Sequence, residues 1–164
     1  MAALVLRAAT IDDAGLLLSL IRALAEYEKL AHECVASEAD LRTHLFGARP
    51  YAEALIAEAD GQPAGFALFF HNYSTFVGKP GIYLEDLFVR PEYRSLGIGK
   101  RLLAEVARIG VERGCGRYEW TVLDWNEPAI RFYESLGAEM KREWIINRVS
   151  GEALGRLARM AAAR

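Results

Sequence analysis

The residues best suited to chemistry lie between positions 82 and 101. Glu85 and Asp86 are adjacent carboxylates in the run Ile82-Tyr83-Leu84-Glu85-Asp86-Leu87-Phe88-Val89. Arg90-Pro91 ends that run, and Arg94, Ser95, Leu96, Gly97, Ile98, Gly99 and Lys100 follow. Gly97 and Gly99 allow backbone to approach a ligand closely. The N–H groups that open a helix have no intrahelical partner and, with the helix dipole, favour anions. Arg94, Lys100 and Arg101 add positive charge at the same place. These residue types in this order suit a phosphate or pyrophosphate cradle.

A cradle of this kind needs a strand before it and a helix behind it. The aromatic and β-branched residues of 82–89 read as a strand that ends before Pro91. Leu102, Leu103, Val106, Ala107 and Val111 recur at helical spacing until Gly114 stops them. Two common phosphate loops are excluded. A P-loop needs a glycine where Arg94 stands and a serine or threonine where Arg101 stands. A dinucleotide fingerprint needs a third glycine where Leu102 stands.

The rest of the chain reads as further support. Residues 4–7 suit a first strand. Thr10 and Asp13 have capping-box spacing before a helix that places Leu16, Leu17, Leu20, Ile21, Leu24 and Tyr27 on one face. Glu26 and Glu28 close that helix. Ser37 and Asp40 cap a second, short helix that runs through Leu41 and Leu45 to Gly47. Residues 51–59 read as a strand, Asp60-Gly61 as a hairpin turn, and 65–70 as a strand buried on both faces. Residues 71–81 carry loop chemistry: Asn72, Ser74, Gly78, Pro80, Gly81. Beyond Gly114-Cys115-Gly116, residues 117–123 suit a strand parallel to 82–89, because a helix crosses between them. Pro128 suits the first turn of a short helix capped by Asn126 or Glu127 and closed at Gly137. Residues 139–149 read as a last strand and 151–160 as a terminal helix or tail.

Length and composition fit a single globular α/β (α+β) domain over residues 1–164: a mixed, mainly antiparallel sheet flanked by helices, with one parallel strand pair. A net charge of −2 with no basic face argues against nucleic acid as a main partner. No apolar run is long enough to span a bilayer and none resembles a signal peptide. Cys34 and Cys115 have no metal spacing and suit free thiols in a reducing cytoplasm. No metal is expected.

Arg94-x-x-Gly97-x-Gly99, with its strand and helix, resembles the acyl-CoA pyrophosphate loop of the GCN5-related N-acetyltransferases (GNAT). A second segment, Asn126-x-x-Ala129-x-x-Phe132-Tyr133-x-x-x-Gly137, resembles the part of that family that packs on the pantetheine arm. The likeness covers residues 4–149. Tyr27-Glu28, Tyr83-Leu84-Glu85-Asp86, residues 122–126 and Glu143-Trp144 further resemble the diamine (spermidine/spermine) N-acetyltransferase subfamily and its thialysine-acetylating branch. The resemblance implies a GNAT fold whose parallel pair opens on the acyl-CoA site, acetyl-CoA as cofactor, and a homodimer. It implies acetyl-CoA contacts from Leu87, Phe88, Val89, Arg94, Ser95, Leu96, Gly97, Ile98, Gly99, Lys100, Asn126, Ala129, Phe132 and Tyr133. It places Tyr27, Glu28, Glu85, Asp86 and Glu143 around the amine.

An amine with a pKa of about 10 is almost wholly protonated at pH 7, so a group must take its proton before it attacks a thioester. The resemblance makes Glu85 that base, directly or through water, with Asp86 holding the ammonium, and Tyr133 the acid on the CoA sulfur. Backbone N–H groups of residues 87–89 are candidates for the oxyanion donor. No carboxylate stands near Ser74-Thr75, where polyamine-acetylating members are expected to carry one. That favours a shorter, amino-acid-like or small amine. Two functions of different class fit: acetylation of a small primary amine (diamine, polyamine, thialysine or lysine-like), and a GNAT-fold module that binds acyl-CoA without turnover. A protein or peptide amine is a third acceptor.

Overall fold

The computed structural model describes residues 3–161. The chain falls into two compact units, one ending at Leu123 and the other starting at Asp124.

The first unit is built on five strands: β1 (Leu4–Ala8), β2 (Glu53–Ala59), β3 (Gln62–Ser74), β4 (Lys79–Val89) and β5 (Tyr118–Trp120). They lie side by side in chain order. The first four are antiparallel, and β5 runs parallel to β4 with Ile82 opposite Tyr118 and Leu84 opposite Trp120. Three helices cover the sheet: α1 (Ala14–Tyr27), α2 (Glu38–Phe46) and α3 (Ile98–Glu112). The mixed sheet and its parallel pair match the sequence expectation.

Local chemistry explains the helix starts. The Asp13 carboxylate accepts from the Thr10 N–H at 2.7 Å and from its hydroxyl at 3.1 Å. Ser37 and Asp40 cap α2 reciprocally, Asp40 N–H to Ser37 Oγ at 3.2 Å and Ser37 N–H to the Asp40 carboxylate at 2.8 Å.

The sheet alternates its side chains between two layers. Phe66 and Leu68 of β3 and Phe88 of β4 join Leu17, Leu20, Leu24 and Leu41 in one core cluster under α1 and α2. On the other face α3 lies across β2, β3 and β4, burying Leu102, Leu103 and Val106. Phe66 has no exposed surface, and truncating such a residue costs about 3–5 kcal/mol.

Two expectations fail. Residues 71–81 are not an open loop. Asn72 pairs with Gly81, Tyr73 with Pro80 and Ser74 with Lys79, so β3 and β4 run on to a tight turn at 75–78. Pro80 is tolerated because it sits ahead of the β5 ladder, which begins at Ile82. Residues 139–149 form no strand. A strand needs a neighbour to take its N–H and C=O groups, and no ladder forms there among the described residues. Trp144, Ile145 and Ile146 are 75%, 82% and 64% exposed.

The second unit holds two helices, α4 (Glu127–Ser135) and α5 (Gly151–Arg159). Asn126 caps α4 by accepting from the Ala129 N–H at 3.4 Å, and Pro128 sits in its first turn.

Candidate functional site

β3 and β4 do not pair evenly. Leu68 faces Asp86, yet the next residue, Phe69, faces Leu84. Glu85 is therefore an extra residue without an opposite number, a β-bulge. Such a bulge shifts the side-chain alternation of its strand. Before it, Ile82 faces α3: a Cβ added to Gly110 would meet Ile82 Cδ1 at 3.3 Å. After it, Phe88 lies in the cluster under α1, and Asp86, two residues earlier, shares that face.

Asp86 thereby becomes a wall of a cavity of about 220 Å³ lined also by Ile21, Leu24, Ala25, Glu28, Leu30, Glu33 and Cys34. Three carboxylates meet a largely aliphatic lining, Glu33 being the exposed one, and among the described residues no Lys or Arg lines it. Burial is the main cause that pushes the Asp86 carboxyl up to about 7, followed by the charges of Glu85 and Glu28. Burial also raises Glu28. Glu85 is exposed on the bulge. The sequence reading placed Glu28, Glu85 and Asp86 around an amine, and the fold brings the three within electrostatic reach. It missed Glu33 and Cys34, whose 3-10 turn carries no motif. A further cavity of about 170 Å³ lies between residues 50–53 and Phe70-His71. Its carboxylate, Glu53, is already held by Arg113 at 2.5 Å.

The glycine loop follows the C-terminal end of β4, a few residues beyond the bulge. Gly97 is the N-cap of α3 with φ +76°, in the left-handed region, and nothing lies within 4 Å of where its Cβ would be. Ser95 is also left-handed, at φ +65°. The loop thus turns onto the helix with open space above Gly97, and the first N–H groups of α3 have no intrahelical partner. Ser95, Leu96 and Lys100 are exposed here, and Ile98 is buried as the loop's anchor to the core. This cradle has the room and donors a pyrophosphate needs. Arg94 is engaged within the protein: Nε donates to the Val89 carbonyl at 3.1 Å, and its guanidinium lies over Tyr27 and Phe88. Leu87 and Val89 complete the strand end that leads into the loop.

In the second unit, Phe132 and Tyr133 are neighbours on α4 with ring centres 5.5 Å apart, one turn after Ala129. Glu143 is exposed in the segment before α5.

A family model described as the acetyltransferase (GNAT) family matches residues 20–138. The chain belongs to the GNAT family. Its acyl donor is acetyl-CoA. The thialysine N-epsilon-acetyltransferase of Bos taurus is 42% identical, covering 96% of this chain and 99% of the relative. The L-ornithine N5-acetyltransferase of Arabidopsis thaliana is 34% identical over 91% of this chain and 85% of its own length. Among solved structures, an integron cassette protein from the mobile metagenome of V. cholerae superposes with a TM-score of 0.80 at 27% identity, covering 94% of this chain and 97% of the other. Among the described residues no cluster of His, Cys, Asp and Glu could hold a metal ion, and no helix is long and apolar enough to cross a membrane.

Proposed function

We propose that this GNAT enzyme transfers the acetyl group of acetyl-CoA to a side-chain primary amine of a small diamino acid, of the thialysine, lysine or ornithine type, ahead of spermidine and spermine. The observation that carries this reading is the acidic cavity at the β4 bulge. Two partly buried carboxylates, Glu28 and Asp86, with Glu33 exposed at the rim and no Lys or Arg among the described lining residues, are matched by a cation, and an aliphatic lining suits the methylenes beside an ammonium. The names of the thialysine and ornithine relatives point the same way, as does the absence of a carboxylate near Ser74-Thr75.

Acetyl-CoA, whose pyrophosphate the 94–100 loop is shaped to take, supplies an activated thioester. Glu28 and Asp86, with Tyr27, orient the amine. One of the two β4 carboxylates, Glu85 or Asp86, accepts its proton, and the Tyr133 hydroxyl gives a proton to the departing sulfur. The family match runs across both units, which supports one acetyltransferase domain made of residues 1–164. Free Cys34 and Cys115 suit a cytoplasmic setting. The exposed Trp144, Ile145 and Ile146 suit a two-fold homodimer.

The test is thiol release from acetyl-CoA with thialysine, lysine, ornithine, putrescine and spermidine. Amine-dependent release, with the diamino acids showing the highest kcat/KM, is expected. No release with tight acetyl-CoA binding would make the chain a binding module.

A further inference from the structure

We propose that Asp86, and not Glu85, takes the proton from the attacking amine, while Glu85 and Glu28 act as fixed negative charges around it. The proposal rests on the amine-acetylation reading and divides the labour within that site. The decisive geometry is the change of face at the bulge. Had the β3–β4 ladder run unbroken, Asp86 would share the side of Ile82 and Leu84, beneath α3. The inserted Glu85 instead turns Asp86 into the cavity under α1, opposite Leu68, and is itself left exposed. No hydrogen bond or ion pair engages Asp86 among the described residues, so its carboxylate is open to a ligand.

The groups that face Asp86 are all acidic or neutral: Glu28 from α1, Glu33 and Cys34 from the following 3-10 turn, and Glu85 on its own strand. Around them Ile21, Leu24, Ala25 and Leu30 form an aliphatic lining. That setting brings its carboxyl to about 7. A proton moved from an ammonium of pKa about 10 to such a group is uphill by about 10³, against about 10⁶ for a carboxylate of ordinary pKa. A base with a pKa near the working pH is also half ionised and ready.

The step balances. The ammonium proton passes to the Asp86 carboxylate and the freed nitrogen lone pair attacks the acetyl carbonyl carbon. The C–N bond forms and the C–S bond breaks, with the electron pair leaving on sulfur. The second nitrogen proton accounts for the one the thiol takes up, and Asp86 returns its own to water. The net products are the amide, the CoA thiol and one proton.

The experiment is the profile of kcat/KM for the amine from pH 5.5 to 10, for wild type, Asp86→Asn, Glu85→Gln and Glu28→Gln, with acetyl-CoA affinity by calorimetry as a check on folding. Wild type should rise to a plateau with a midpoint near pH 7. Asp86→Asn should lose that limb and about 10²- to 10³-fold in rate at pH 7, with the deficit shrinking toward pH 10 as free amine appears. Glu85→Gln and Glu28→Gln should keep the limb but move it to lower pH, because a neighbouring negative charge is gone. An intact limb in Asp86→Asn, or its loss in Glu85→Gln, overturns the assignment. If Asp86→Asn does not fold, unmoved limbs in the other two overturn it and acid-shifted ones support it. A wild type that releases no thiol with any amine counts against amine acetylation. An active wild type whose limb ignores these substitutions counts against Asp86 alone.

Discussion

The guanidinium of Arg94 lies 4.9 Å from the centre of the Tyr27 ring, which ties the loop that opens α3 to the last residue of α1. The same group lies 5.7 Å from the Phe88 ring centre while Nε donates to the Val89 carbonyl. The planar, forked head of Arg makes these contacts together, which an ammonium cannot do. Arg94→Lys should therefore lower stability by about 1 kcal/mol and weaken acetyl-CoA binding several-fold. Thermal unfolding and calorimetry check it. An unchanged melting temperature would mean that the stack contributes nothing.

Gly97→Val and Gly99→Val should abolish acetyl-CoA binding, for reasons that differ. At Gly97 a branched side chain is strained by the left-handed backbone, at about 1–2 kcal/mol, and fills the open space above the loop. At Gly99 a Cβ meets only Val89 Cγ2 at 3.7 Å, so the fold should tolerate it and the loss should fall on the ligand alone. Calorimetry with the folded variants decides, and wild-type affinity in either would refute the cradle.

Tyr133→Phe keeps the ring against Phe132 and removes only the hydroxyl. As the acid on sulfur, Tyr133 should account for about 10²-fold in kcat with acetyl-CoA affinity little changed. Unaltered kcat would leave Tyr133 as a packing residue.

Asp86 should carry a stability cost. Its carboxyl is raised to about 7, above its unfolded value of about 4. Between those pH values the folded chain binds a proton that the unfolded chain does not, so stability falls as pH rises from 4 to 7. Asp86→Asn removes this penalty. It should gain about 1–3 kcal/mol above pH 7, with the gain fading to nothing near pH 4. Urea unfolding at pH 4, 6 and 8 measures it, and a gain independent of pH would contradict a buried titrating carboxyl.

The pair Arg7–Asp13 has the opposite sign. Two Arg7 nitrogens donate to the Asp13 carboxylate at 2.8 and 2.9 Å, and Nε reaches Glu58 at 2.8 Å. Those bonds hold the Asp13 carboxyl down at about 2. The stability this gives is complete above pH 4 and is lost as pH falls toward 2. Because Arg7 is 35% exposed, about 1–2 kcal/mol is expected. Arg7→Met should lose that amount at pH 7 and show a flatter decline between pH 4 and 2 by urea unfolding.

Much of this protein could be read along the chain because the causes are local. Leucines at helical spacing mark α1 and α3, and the side chains of Ser37 and Asn126 cap their helices from within three residues. Two glycines behind a Pro-ended strand mark the phosphate loop, since only backbone close to its own helix start makes such a cradle. The 71–81 segment misled because Gly and Pro disfavour strands on their own, whereas the ladder from β3 outweighs that local preference. Residues 139–149 have strand-forming side chains but no ladder, which no propensity can replace. The roles of Glu85 and Asp86 were the least legible. Adjacent in sequence and alike in chemistry, they differ only through register: one unpaired residue on β4 leaves Glu85 in water and carries Asp86 into a cavity beside Glu28. Register is set by how β3 and β4 pack between α1 and α3, so the burial that separates the two carboxylates exists only in the folded sheet.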